Sequence, residues 1–233
     1  MTRHTAPIKK KAELIGEIAI MAGFYGKGMR SYGLPAESVV DSEGTILVNH
    51  QLRILHNVFP KAIHTVIVKH NADSLIKKIA YPARIIENQN LASNEMDDLR
   101  TFLNATLSPS VMVVPGNLYF DEDMVAEIPT TSNIVVAGLD NRQHLGIVRN
   151  SSNLVERIDY GLSGLWLGFI TMYQPEMSLV KKVATRNRAN MFMYEGINRA
   201  IDKNANFHVH DTKRNYYRFE SIGDVRSFDE NSI

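Results

Sequence analysis

With 233 residues and a net charge of +1, the chain is long enough to bury a sizeable core and has no bulk attraction for nucleic acid or membranes. It has no cysteine, which excludes disulfides, thiolate catalysis and cysteine-based zinc sites. Its apolar runs fall short of the roughly 20 residues that span a bilayer, and its N-terminus lacks a signal-peptide core, so we expect a cytoplasmic protein, free or part of a larger particle.

Residues 1–12 are basic and read as an arm that could dock a protein partner, followed by one α/β domain over 13–233. Glu17 to Met21 is an apolar run stopped by Ala22-Gly23, the pattern of a buried parallel strand. A glycine-rich loop follows, with Gly23, Gly26, Gly28, Lys27, Arg30 and a Gly-x-Pro at Gly33 to Pro35. Ile46 to Phe59 repeats apolar residues at helical spacing and stops at Pro60. His64 to Lys69 predicts a second strand, Asp73 to Lys78 a short helix and Ala83 to Glu87 a third strand.

Asn94 to Ala105 predicts a helix that Ser93 or Asn94 could cap. Val111 to Val114 predicts a strand cut by Pro115-Gly116, after which Asp121 to Asp123 opens a further element. Ile134 to Gly138 and Leu145 to Arg149 read as strands, with a tight turn over Asn150 to Asn153. Leu162 to Tyr173 is largely apolar and ambiguous by period; Gly164 and Gly168 favour a core strand over an amphipathic helix. Helices are predicted over Glu176 to Thr185 and Met191 to Ile201, short strands over Phe207 to His210 and Tyr216 to Glu220, and a last helix from Val225. Strands alternating with helices give a three-layer α/β/α fold around a mostly parallel, mixed central sheet.

In such a sheet ligands bind at the carboxyl ends of the strands. Three predicted strands end in loops suited to that: the glycine-rich loop, Pro115-Gly116-Asn117, and the segment from Glu220 to Asp224. Glycines let backbone amides point at an anion. Arg30 could add a bidentate phosphate contact and Lys27 a point charge. The loop has neither the Walker A pattern nor the dinucleotide fingerprint, so on its own it reads equally as a phosphate cradle or a plain turn. His208 and His210 share a strand face without an evident third metal ligand. Trp166 and Phe169 read as core, and the basic run through Lys181, Lys182, Arg186 and Arg188 as a solvated helix face.

The order of these segments resembles the nucleotidyltransferase family, the GT-A-like sugar-phosphate and phosphocholine nucleotidylyltransferases, from about Glu17 to Phe228. Ala22, Gly23, Gly26 or Gly28, Arg30 and Pro35 take the places of the family's opening motif. The stretch from Glu87 to Ala105 resembles the one that reads the base, which gives Asn90 and Asn94 a nucleotide-binding role. VVPGN resembles the strand that ends in Gly-Asp, and FESIGDV the late acidic motif.

The resemblance implies a nucleoside triphosphate and a small phosphorylated acceptor as ligands. It also implies Mg²⁺ held near Asn117 and Glu220, with Arg30 and Lys27 acting in catalysis. Departures accompany it: Ala36 stands where the family has a lysine, Phe24-Tyr25 lengthen the loop, and Asn117 and Glu220 replace aspartates. These replacements weaken the phosphate and metal ligands, so the alternative expectation is a catalytically degenerate binding or structural subunit of a larger assembly.

Overall fold

The computed structural model describes residues 14–25, 27–29, 31–90, 94–138, 144–186 and 191–229. Strand β1 (Glu17–Met21) is buried at every position and pairs in parallel with β2 (Ile63–Lys69) on one side and β4 (Ser110–Pro115) on the other. Strand β3 (Arg84–Asn88) continues the sheet beyond β2 in parallel. Beyond β4 lies β9 (Leu165–Tyr173), antiparallel to both β4 and β6 (Asn133–Ala137). Strand β10 (His208–Thr212) closes the far edge parallel to β6, so the seven-stranded order is β10-β6-β9-β4-β1-β2-β3.

Helices cover both faces, which is why the strands read as continuous apolar runs rather than alternating ones. Ile18 and Ile20 of β1 point to one core, shared with Val48, Leu52 and Leu55 of α2 (Leu47–Val58). The same core takes in Leu75 of α3 (Asp73–Lys78) and Met124 and Val125 of α5 (Glu122–Glu127). Ala19 and Met21 point to the other, against Leu99 and Phe102 of α4 (Glu95–Ala105), Val180 of α6 (Gln174–Arg186) and Ile197 of α7 (Met193–Ile201). Trp166 and Phe169 are both buried, one in each core. Asn94 caps α4 by accepting from the Asp97 amide, and Asp121 caps α5 by accepting from the Met124 amide.

Four details differ from the sequence expectations. The segment after the glycine loop forms a short helix, α1 (Pro35–Ser38), started by a proline whose missing N–H costs nothing there. A strand β8 (Val155–Tyr160) pairs with β7 (Leu145–Arg149) as a hairpin. Strand β5 (Leu118–Phe120) pairs with β11 (Tyr216–Arg218), which ends two residues earlier than expected. The last helix, α8 (Ile222–Ser227), begins at Ile222 because Asp224 closes a capping box with Ser221, accepting from the backbone amides of Glu220 and Ser221 and from the Ser221 hydroxyl. Among the described residues no helix is long and apolar enough to cross a membrane.

Candidate functional site

A cleft of about 1030 Å³ opens at the carboxyl ends of β1 to β4. The backbone brings its floor together through two hydrogen bonds: the Ala22 amide donates to Ile67 O, and the Gly116 amide donates to Met21 O. Gly116 must be glycine, since a Cβ there would lie 2.5 Å from Met21 O. The turn after β4 therefore lies directly on the end of β1, and Gly23, Asn117 and the end of β2 share one wall.

Of the residues singled out in the sequence, Gly23, Asn90, Asn94, Asn117 and Glu220 line this cleft. Ala22 is buried behind Gly23. Lys27 is exposed, and its backbone is bound on both sides: its amide donates to Glu220 O, and its carbonyl accepts from the Ile222 amide. Gly28 has a φ of 77° and packs against Ile222. The loop is thus tied to the segment before α8, and Arg226 reinforces the tie by stacking on and donating to Tyr32. Gly26, Arg30 and the basic arm lie outside the described residues.

Two of the lining asparagines have structural partners. Asn94 spends both ends of its amide, Oδ1 as the cap of α4 and Nδ2 donating to Met191 O. Asn117 is buried and its Nδ2 donates to Phe219 O at 2.9 Å, which joins β5 to β11. Glu220 carries an ion pair to Arg218 Nε at 3.1 Å and faces His144 at 3.5 Å. As a protein-held magnesium site, Asn117 and Glu220 do not fit: they offer one neutral oxygen and one carboxylate that an arginine already holds. Mg²⁺ takes carboxylates and hard oxygens in near-octahedral order. Among the described residues no three acidic, histidine or cysteine side chains converge as a metal cluster, His208 and His210 included.

Asp121 and Asp123, which follow the turn after β4, have structural roles. Asp121 caps α5, and Asp123 pairs with Arg214 at 3.3 Å. Ala36 is 1% exposed and sits in the core beneath the sheet, so a lysine side chain at this position would have to leave through packed apolar groups rather than reach the cleft.

Sequence reasoning passed over the cations that the cleft does contain. Lys69, the last residue of β2, donates to Asp98 Oδ2 at 2.8 Å, and Asn88 Nδ2 fixes the other oxygen of that carboxylate at 2.7 Å. Arg218 donates to Trp166 O at 3.1 Å while paired to Glu220. Glu95, at the start of α4, faces the same space. It is open to solvent there; crowding by the cleft shifts its pKa upward, Arg218 pulls it down, Asp98 adds to the rise and Lys69 opposes it. The signal for Lys69 was available: a lysine closing the apolar strand HTVIVK, at the end where ligands bind.

A third wall is aromatic. Tyr160, at the end of β8, meets Tyr194 edge-on at 5.9 Å, and Phe192 stacks on Tyr194 at 6.0 Å. Tyr160 and Phe192 are 60% and 56% exposed, which is unusual for large rings with no structural need to face solvent.

The fold matches solved structures of nucleotidyltransferases. The chain is similar to an inositol-1-phosphate CTP transferase from T. maritima, with 14% identity, a TM-score of 0.73 and 94% of each chain covered. It is also similar to a CTP:phosphocholine cytidylyltransferase from Streptococcus pneumoniae, with 15% identity, a TM-score of 0.75 and 94% of this chain and 99% of that one covered. A nucleoside-diphosphate-sugar pyrophosphorylase from Vibrio cholerae gives 12% identity and a TM-score of 0.72 over 90% of this chain and 98% of that one. No model of a known protein family matches the sequence, and no curated protein matches it. At these identities the likeness shows the fold, which is the mixed, mostly parallel α/β architecture that the sequence resemblance implied.

Proposed function

We propose that the chain transfers a nucleotidyl group from a nucleoside triphosphate to a small phosphorylated acceptor. The observation that carries this reading is one cleft, at the ligand-binding end of a nucleotidyltransferase fold, in which two held cations, Lys69 and Arg218, share a wall with Gly23 and Gly116.

The chemistry asks little of side-chain bases. The acceptor phosphate is already ionised, so one of its oxygens attacks the α-phosphorus directly. A new P–O bond forms, the bond from the α-phosphorus to the bridging oxygen of the β-phosphate breaks, and pyrophosphate leaves with that electron pair. Catalysis then consists of alignment and of charge stabilisation at the phosphates. Arg218 is suited to the second task because its guanidinium is oriented by Trp166 O and Glu220 before any ligand arrives. No step is routed through a divalent ion, since Asn117 and Glu220 do not make a fitting site for one.

Between the acceptor classes implied by the fold, the aromatic wall favours a phosphocholine-type acceptor over a sugar phosphate. Exposed ring faces such as Tyr160 and Phe192 attract a quaternary ammonium, and the Glu95 carboxylate in the same cleft complements its charge when ionised. The test is pyrophosphate release from each of the four nucleoside triphosphates, with phosphocholine or with sugar 1-phosphates. Release that needs one nucleotide and phosphocholine together is the expected result; release with sugar phosphates alone refutes the acceptor, and no release in any pairing refutes the activity.

A further inference from the structure

We infer that Lys69 is the phosphate-contacting cation of the cleft, in the role that a loop lysine would otherwise fill. The inference rests on the nucleotidyl-transfer reading above and adds to it a residue that neither the sequence motifs nor the fold likeness assigns.

The cradle expected from the sequence lacks its positive charge within the described residues. Position 36 is an alanine buried in the core, and Lys27 stays outside the cleft lining with its backbone committed to Glu220 and Ile222. Lys69 reaches the cleft from another element. Its stem passes over Gly23 so closely that a Cβ on Gly23 would lie 2.6 Å from Lys69 Cε and 2.9 Å from Cγ. Gly23 has no positive φ to explain it; the room it leaves is occupied by this lysine. The glycine is therefore explained by Lys69 crossing the strand end, on the way to the space above it.

The ammonium is also aimed. Asp98 and Asn88 hold it from behind: the Asp98 side chain is 5% exposed, whereas that of Lys69 is 17% exposed. Both side chains line the cleft, and the cation is the more open of the pair. A flexible lysine loses considerable side-chain entropy on binding an anion; here Asp98 and the Gly23 floor impose that order in advance, so the contact is pre-organised. The ligand chemistry is a phosphate chain attached to a nucleoside, with Lys69 at the phosphates beyond the first.

The test compares wild type with Lys69→Met, Lys69→Met/Asp98→Asn and Gly23→Ala. For each, affinities for the four nucleoside triphosphates and for the matching nucleoside monophosphates are measured by calorimetry. The double variant removes both charges, so it leaves the net charge of the wall unchanged and no buried acid unpaired; melting curves report folding. Loss of one charge-assisted contact predicts about tenfold weaker triphosphate binding in both lysine variants, with monophosphate binding unchanged, and a smaller loss in Gly23→Ala, which shifts the stem without removing the charge. Equal triphosphate affinity in wild type and the double variant overturns the inference and leaves the proposed activity standing. An equal loss for monophosphate and triphosphate also overturns it, since that is what a purely structural lysine gives. If no nucleotide binds the wild type, the inference and the activity fall together.

Discussion

Lys69 crosses directly above Gly23: a methyl group placed on Gly23 would fall 2.6 Å from Lys69 Cε. The relationship ties a glycine in the loop after β1 to a charged residue at the end of β2, two strands that pair in parallel along the whole of β1. It also gives the loop glycine a physical cause other than backbone freedom.

Gly23→Ala is expected to destabilise the protein by about 1 kcal/mol, at the low end of what overpacking costs, because a lysine stem yields more readily than backbone. Urea unfolding measures it. A loss well above that range would mean that Lys69 cannot move, and an unchanged midpoint would mean that the crossing is looser than 2.6 Å implies.

Lys69→Met alone leaves Asp98 buried beside Asn88 with its ion pair gone. Breaking a buried pair in this way costs about 3 kcal/mol, and the cost should shrink when Asp98→Asn is added. A double-mutant cycle in urea reads the coupling; purely additive losses would show that the 2.8 Å contact contributes nothing to stability.

His64 supplies a pH dependence unconnected with the cleft. It is buried, stacks on His56 at 3.8 Å, and its pKa falls from 6.5 to about 4, chiefly by desolvation and next by the neighbouring His56. The unfolded chain takes up a proton at this site near pH 6.5, whereas the folded protein takes it up only near pH 4. Stability is therefore complete above pH 6.5, falls as pH drops through the interval, and stops falling below about 4. The loss contributed by this one group is about 3 kcal/mol. Urea midpoints at pH 7 and pH 4.5 in wild type and His64→Phe check it: the variant should show a shallower decline.

The tie between the glycine loop and α8 should depend on Asp224, whose Oδ2 accepts from the Glu220 and Ser221 amides and the Ser221 hydroxyl. Asp224→Ala is expected to cost about 1 kcal/mol, as for a lost cap. It should speed hydrogen exchange at the Lys27 and Ile222 amides, which close the bridge between the two segments. Faster exchange confined to α8 would show that the loop is held independently.

Much of the fold was legible because burial leaves strong patterns. Glu17 to Met21 is buried on both faces and, from Ile18 on, reads as an unbroken apolar run, and Asn94 and Asp121 stand at true helix caps. Leu162 to Tyr173 was ambiguous by period because β9 is covered on both sides, and its glycines, including Gly168 at a φ of 87° against Pro115, pointed correctly to strand. The helix at Pro35 was missed because four residues carry no period, and its burial turns position 36 away from the cleft.

The site was less legible than the fold. Motif order located its floor, at Gly23 and Asn117, but motif matching cannot show that Asn117 spends its amide on Phe219 or Asn94 on Met191, contacts made across 102 and 97 residues. The place of Lys69 at the end of HTVIVK was legible, but not the acid that holds it, 29 residues away.

The most direct test of the account is amide chemical-shift mapping with each of the four nucleoside triphosphates. One nucleotide should bind and move the resonances of Gly23, Lys69, Gly116, Asn117 and Arg218 together, because these residues line one cleft. Shifts that leave these five in place and cluster elsewhere, or no shifts with any of the four, would contradict it.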